Sequence, residues 1–166
     1  MTTTTSAPGP APAPDRTATY FVVPVLPDAG KTEHVRYYAA DQGAKQWLAI
    51  SPKDLDAKGQ GCDANQIRLH QPGAESVLEH TNLTAEQLDG SATLYAGVAR
   101  TLSTGTDPLP SGYSVDSDGY MTIQVAQQST RGLILVFSRT AAGDPSASVT
   151  DLIATTDPEI KNGVGT

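Results

Sequence analysis

The residue pattern of this chain is that of a mainly β protein: an antiparallel β-sandwich or barrel with one or two short helices and an extended N-terminal arm. Short segments rich in β-branched and aromatic residues alternate with clusters of Gly, Pro and Asp, which is the punctuation of strands and turns. Thr, Ser, Ala and Gly dominate the composition, and they suit short strands and turns better than long helices. Strands do not alternate regularly with helical patterns, which argues against a parallel nucleotide-binding sheet.

Residues 1–16 (MTTTTSAPGPAPAPDR) form the arm. Pro8, Pro10, Pro12 and Pro14 alternate with Gly and Ala, so the segment favours an extended polyproline-like conformation with no apolar face to bury, and Arg16 ends it. The β-rich domain is expected over residues 17–156 and a C-terminal tail over 157–166. Thr17–Leu26 (TATYFVVPVL) reads as a strand, with Pro24 at an edge or bulge because it has no N–H to donate. Pro27–Gly30 is turn chemistry, and His34–Ala39 completes a hairpin with a longish loop. Asp41–Ile50 fits a short helix or a strand equally. Ser51-Pro52 looks like a helix cap followed by the first helical residue, with Gly59 and Gly61 ending a short helix.

Asn65–His70 is expected as a strand, Gln71–Gly73 as a turn and Ser76–His80 as another short strand. Thr84 and Gln87 have capping-box spacing. Ala92–Leu102 reads as a strand with Leu94, Ala96 and Val98 on one face, and Gly105–Gly112 as a loop. Asp118-Gly119 signals a hairpin turn between Gly112–Val115 and Tyr120–Ala126, where Met121, Ile123 and Val125 alternate with polar residues. Arg131–Arg139 holds the run Leu133–Phe137, which predicts a strand buried on both faces. Gly143–Pro145 turns the chain, and Ser148–Thr155 is the last expected strand.

Charge and motif spacing narrow the function. The net charge is −7, and the eleven Lys and Arg residues are scattered without forming a stripe. Nucleic-acid and anionic-membrane binding both need such a stripe. Cys62 is the single cysteine, so the chain forms no internal disulfide and no Cys-rich zinc site. The N-terminus lacks the basic and apolar regions of a signal peptide, and no apolar run approaches membrane-spanning length.

Gly30-Lys31-Thr32 follows a strand, but a phosphate loop needs a glycine where Val25 stands and a helix after it, where His34–Ala39 reads as a strand. Asp116–Gly119 resembles part of a calcium loop, yet Gln127 occupies the closing glutamate position. His34, His70 and His80 have no metal-ligand spacing, so a site built from them depends on the fold. No nucleophile elbow occurs, and the six tyrosines are spread over most strands rather than gathered as a sugar-stacking platform.

The expectation is therefore a non-enzymatic structural protein of a large assembly. A virion is its natural setting (a capsid decoration, minor head or tail component), with the arm at Pro8, Pro10, Pro12, Pro14 and Arg16 making intersubunit contacts. Its expected partners are copies of itself and a shell or tube protein, with no nucleic acid, membrane, metal or cofactor, and its place is a virion or a cytoplasmic assembly. The alternative is a small-ligand or carbohydrate-binding β module, or a small β-barrel enzyme, with the arm as a linker.

Overall fold

The computed structural model describes residues 16–39, 45–58, 65–102, 111–140, 149–155 and 158–163. Pro8, Pro10, Pro12, Pro14 and Cys62 lie outside them, as do the expected turn at 143–145 and most of the loop at 105–112. Arg16 lies inside and is exposed. Among the described residues, eleven strands form two sheets: β1 Ala18–Pro24, β2 Val35–Ala39, β3 Leu48–Ile50, β4 Leu55–Asp56, β5 Gln66–His70, β6 Ala92–Thr101, β7 Ser111–Ser114, β8 Tyr120–Gln124, β9 Ser129–Thr140, β10 Val149–Ala154 and β11 Glu159–Asn162. One helix, α1 Ala74–His80, and a 3-10 turn at Ala85–Gln87 lie between β5 and β6.

The first sheet has the order β3-β2-β1-β5-β8, and the second β4-β11-β9-β6-β7, with β10 on the same flank of β9 as β11. Neighbours run antiparallel except β1–β5 and β4–β11, which are parallel. The sheets are therefore mixed rather than purely antiparallel. Between β1 and β5 the chain makes the β2–β3 excursion and visits the second sheet as β4, so it returns beside β1 in the same direction.

Period-two alternation puts one side of each strand into the core. Ala18, Tyr20 and Val22 of β1, Ile67 and Leu69 of β5, and Met121 and Ile123 of β8 meet Leu94, Ala99, Leu133, Leu135, Phe137 and Ile160 from the second sheet. β1 is a central strand, yet Pro24 costs no ladder bond. β5 pairs only with Ala18–Phe21, so Pro24 stands beyond its end, where its carbonyl accepts the Asp89 N–H at 3.1 Å.

Several local readings are corrected. Ser51–Asp54 is a turn rather than a helix start: the Asp54 N–H donates to the Ser51 carbonyl (3.0 Å) and the Lys53 N–H to Ser51 Oγ (3.3 Å). Leu55 and Ala57 are both fully buried, and this alternation pulls the segment into β4. Residues 76–80 belong to α1. Five residues are too few to separate the two periods, and only Val77 is buried, against Val23, Val25 and Tyr38. The expected tail contains β11, whose Ile160 is fully buried.

The Asp116–Gly119 turn forms, with Gly119 at φ +85° and the Asp116 carboxylate accepting the N–H groups of Asp118 and Tyr120 (2.9 and 3.0 Å). It does not join a paired hairpin: β7 pairs with β6 and β8 with β5, so the turn carries the chain between sheets.

The faces of β6 also differ from expectation. A register shift at Tyr95 separates Leu94↔Phe137 from Ala96↔Val136, so Leu94 points inward but Val98 outward. After the bulge Gly97 faces the core, and a Cβ there would lie 2.8 Å from Met121 Sδ of the opposite sheet. A larger residue there would have to displace the Met121 side chain.

β9 is half-buried, not buried on both faces. Leu133, Leu135 and Phe137 are at most 2% exposed, whereas Ile134 is 45% exposed. An apolar run without a polar face implied cover on both sides, and among the described residues only one side is covered.

The crossover from β5 to β6 is pinned by Asp89, whose carboxylate accepts bonds from Ser91 (2.6 Å to Oγ) and from Arg139 of β9 (2.8 Å). Burial alone would raise the Asp89 pKa, but the bonds from Ser91 and Arg139 outweigh it and hold the carboxyl below its usual value. A depressed carboxylate stabilises the fold above its unfolded-state pKa and loses that contribution as pH falls through the native value.

Asp89→Asn is expected to cost about 1–3 kcal/mol at neutral pH. Its difference from wild type should shrink below about pH 4, as measured by urea titration across pH. Leu135→Asp is expected to abolish folding, since an unpaired buried charge costs several kcal/mol. Ile134→Asp should change stability by less than about 1 kcal/mol. Circular dichroism melts of the two variants make the comparison.

Candidate functional site

The residues singled out for chemistry do not converge. His70 ends β5 on the outer face of the first sheet and gives its Nδ1 to the Gly119 carbonyl (2.9 Å). His80 ends α1 and gives its Nδ1 to the Ser76 carbonyl (2.8 Å). Phe21 and Trp47 lie between these two rings, and His34 precedes β2. Among the described residues no three His, Cys, Asp or Glu side chains could share a metal ion. Gly30-Lys31-Thr32 sits in the β1–β2 connection, where the Lys31 N–H closes a turn on the Asp28 carbonyl (2.9 Å) and no helix follows. No helix among the described residues is long and apolar enough to cross a membrane.

Three surfaces are shaped for contact. The first is a cleft of about 590 Å³ at the sandwich edge where β2 meets the β10–β11 side of the second sheet. Glu33, His34, Tyr37, Pro52, Thr155 and Pro158 are among its walls. Tyr37 is 4% exposed, and its hydroxyl lies near Thr155 without a hydrogen bond of ordinary geometry. Burial pushes the phenol far above its usual pKa, opposed by Thr155 and reinforced by Glu33, so the hydroxyl stays a proton donor. The His34 Nδ1 is likewise buried and without a hydrogen-bond partner among the described residues.

The second is a row of rings crossing the outer face of the first sheet. Pairing aligns Tyr120, His70, Phe21 and Tyr38 on successive strands. Tyr120 stacks on His70 at 4.7 Å and also lies under the Arg68 guanidinium at 4.7 Å. Trp47 packs against Phe21 at 4.3 Å with the rings tilted by 33°, and stacks on His80 at 4.8 Å. These ring faces are engaged with one another, which leaves little flat surface for a stacked sugar. Beyond Trp47 a cleft of about 530 Å³ opens between the β2–β3 face and residues 81–87.

The third is the outer face of the second sheet. Val98 pairs with Ile134, and Val136 lies between Ala96 and Ala154. Leu152 extends the patch beside Ser138, and Leu102 folds over Gly132. Ile134, Leu102 and Leu152 are 45%, 55% and 57% exposed. None of these side chains is charged, and along β9 from Gly132 to Ser138 the stripe is about 20 Å long; at its Gly132 end it is flanked by Arg100 of β6 and Glu159 of β11. The sequence placed Val98 and Ile134 toward the core, so this surface was not legible in it; the bulge at Tyr95 and the solvent on one side of β9 expose it.

The chain matches no family model, no curated protein and no solved structure.

Replacing Tyr37 by Phe removes a buried hydroxyl that makes no hydrogen bond of ordinary geometry among the described residues, so stability should hold or rise by up to about 1 kcal/mol in urea titration. A loss above about 1.5 kcal/mol would mean that the hydroxyl is bonded in solution.

Proposed function

We propose that this chain is a non-catalytic structural subunit that packs against further copies of itself in a larger assembly. The observation that carries this reading is the uncharged apolar stripe on the outer face of the second sheet. A sheet with one solvated face ordinarily alternates apolar inward and polar outward. At its centre β9 does not: Ile134 and Val136 occupy the outward positions. Contiguous exposed apolar surface of this kind marks a contact site. The chain carries a net charge of −7, so copies repel at a distance; the uncharged centre of the stripe at Ile134 and Val136 lets two copies meet without like charges in contact there. The Pro-rich arm and the β-rich body fit a particle shell or tail, as in a virion, and that setting belongs to the same proposal by analogy of architecture alone.

Sedimentation velocity over a wide concentration range tests it. Wild type should self-associate, while Ile134→Asp and Leu152→Asp should sediment as monomers with unchanged melting temperatures. Monomeric wild type at every concentration, or variants that associate as wild type does, would overturn it.

One observation favours a second reading. The unpaired Tyr37 hydroxyl and His34 Nδ1 in the edge cleft suit a small hydroxylated ligand, as a binding module would need. Calorimetric titration with monosaccharides, comparing wild type with Tyr37→Phe, separates the two. Saturable heat lost in the variant supports the module, and no heat from either dismisses it.

A further inference from the structure

We infer that two copies pack face to face on the outer side of the second sheet about a twofold axis running along β9, so that Arg100 of each copy meets Glu159 of the other. This rests on the reading of the chain as a self-associating subunit and names the charged pair that orients the contact.

The row of residues through Gly132 is asymmetric in charge. Arg100 of β6 and Glu159 of β11 are both register partners of Gly132, so they stand on either side of β9, each about 4.8 Å from it along the sheet. Arg100 is exposed and Glu159 partly so. Gly132 puts no side chain between them, and Leu102 fills the space instead: a Cβ on Gly132 would lie 3.2 Å from Leu102 Cδ1. An apolar side chain thus separates the two charges, and among the described residues neither takes part in a salt bridge. Lys161, the next outward residue of β11, has Asp56 directly beside it on β4. Each copy therefore presents a positive group on one side of β9 and a negative group on the other, level with each other along the strand.

Rotation about an axis along β9 exchanges the two sides of that strand and keeps each row level. β6 of one copy then lies over the β10–β11 flank of the other. Arg100 comes over Glu159 and, by the same symmetry, Glu159 over Arg100, so the pair forms twice. Packed sheets lie about 10 Å apart, a gap that an Arg and a Glu from opposite layers close together. The far end of the stripe matches as well. Tyr95, at the bulge of β6, is 60% exposed, and the same rotation sets it over Leu152 and Ala154 of β10. An aromatic anchor packed on aliphatic surface is a common source of interface energy. Ile134 and Val136 lie on the axis and meet their own counterparts.

A twofold axis across the strands would instead keep the sides and exchange the ends. Arg100 would then come over Tyr95 and Glu159 over Leu152. Neither charge would meet an opposite one, and the carboxylate would lose water against an apolar side chain. The opposite signs across Gly132 therefore select the axis along β9.

The test is charge reversal in the full chain, read by sedimentation velocity over a wide concentration range. Arg100→Glu and Glu159→Arg each set like charges together twice, so each should raise the dissociation constant about tenfold or more. Net charge alone gives the opposite sign for one of them: Glu159→Arg makes an acidic chain less negative, which by itself would tighten association. Arg100→Glu combined with Glu159→Arg in one chain should return to within about threefold of wild type. An equimolar mixture of the two single variants should also associate, because both pairs of the mixed dimer then join a positive to a negative group. Neither pairing within one molecule nor an axis across the strands rescues that mixture.

Circular dichroism melts establish that each variant is folded. Where a reversal unfolds, Arg100→Gln and Glu159→Gln replace it; each should weaken association about two- to fivefold, with no further loss when the two are combined. Wild type that stays monomeric, or association untouched by Ile134→Asp, would overturn the proposed function and this inference with it. Association that Ile134→Asp blocks but the charge variants leave at wild-type strength would overturn the inference alone, as would a mixture no stronger than its components.

Discussion

The ladder along β9 organises the second sheet. β6 pairs along nearly its whole length on one side, and β11 and β10 share the other, at Ser129–Gly132 and Val136–Thr140 respectively. β7 and β4 join only through β6 and β11, so their register follows from β9 as well. Because side chains alternate with period two, placing Leu133, Leu135 and Phe137 in the core sends Ile134 and Val136 outward. The same ladder requires the bulge at Tyr95: without the extra residue, Leu94 and Gly97 could not both face the first sheet. Gly97 in turn admits Met121 from the opposite layer.

Polar groups then hold the layers together at particular points. Arg131, 6% exposed, donates to Tyr113 Oη (2.7 Å) and to the carbonyls of Gln124 (2.8 Å) and Ala99 (3.1 Å), which links β9 to the neighbouring strands of both sheets. Asn162, fully buried, donates to the Val125 carbonyl at 2.7 Å and ties β11 to the end of β8. The Tyr20 hydroxyl donates to the Asp56 carbonyl (2.7 Å) and accepts the Asp56 N–H (3.0 Å), which joins β1 to β4. These bonds act where the chain passes between sheets and main-chain ladders cannot. Groups of this kind are costly to leave unpaired, so they select this stacking of the sheets over slipped ones.

The two outer faces differ in kind and point in opposite directions. That of the first sheet is covered by α1 over Val23 and Tyr38 and is otherwise a row of rings packed against one another, beside an amide-rimmed cleft. That of the second sheet has no covering layer among the described residues and is apolar along its middle.

Local physics made much of the strand inventory legible. Val22, Tyr37, Ile67, Met121 and Ile123 sit in runs whose alternation admits one reading, and the turns at Asp28–Lys31 and Asp116–Gly119 follow from Asp and Gly chemistry. Where segments were short, the residues could not decide. Ser76–His80 is too brief to show a helical period, and Ser51-Pro52 caps a turn as readily as a helix. The sequence by itself determined a mainly β chain with an acidic, sparsely charged surface and a Pro-rich arm. Only the tertiary structure decided which side of β9 is wet, that β7 and β8 belong to different sheets, that β1 and β5 run parallel, and that Trp47 meets His80. Each of these depends on a partner distant in sequence, and no local pattern of residues specifies which distant strand or ring will arrive.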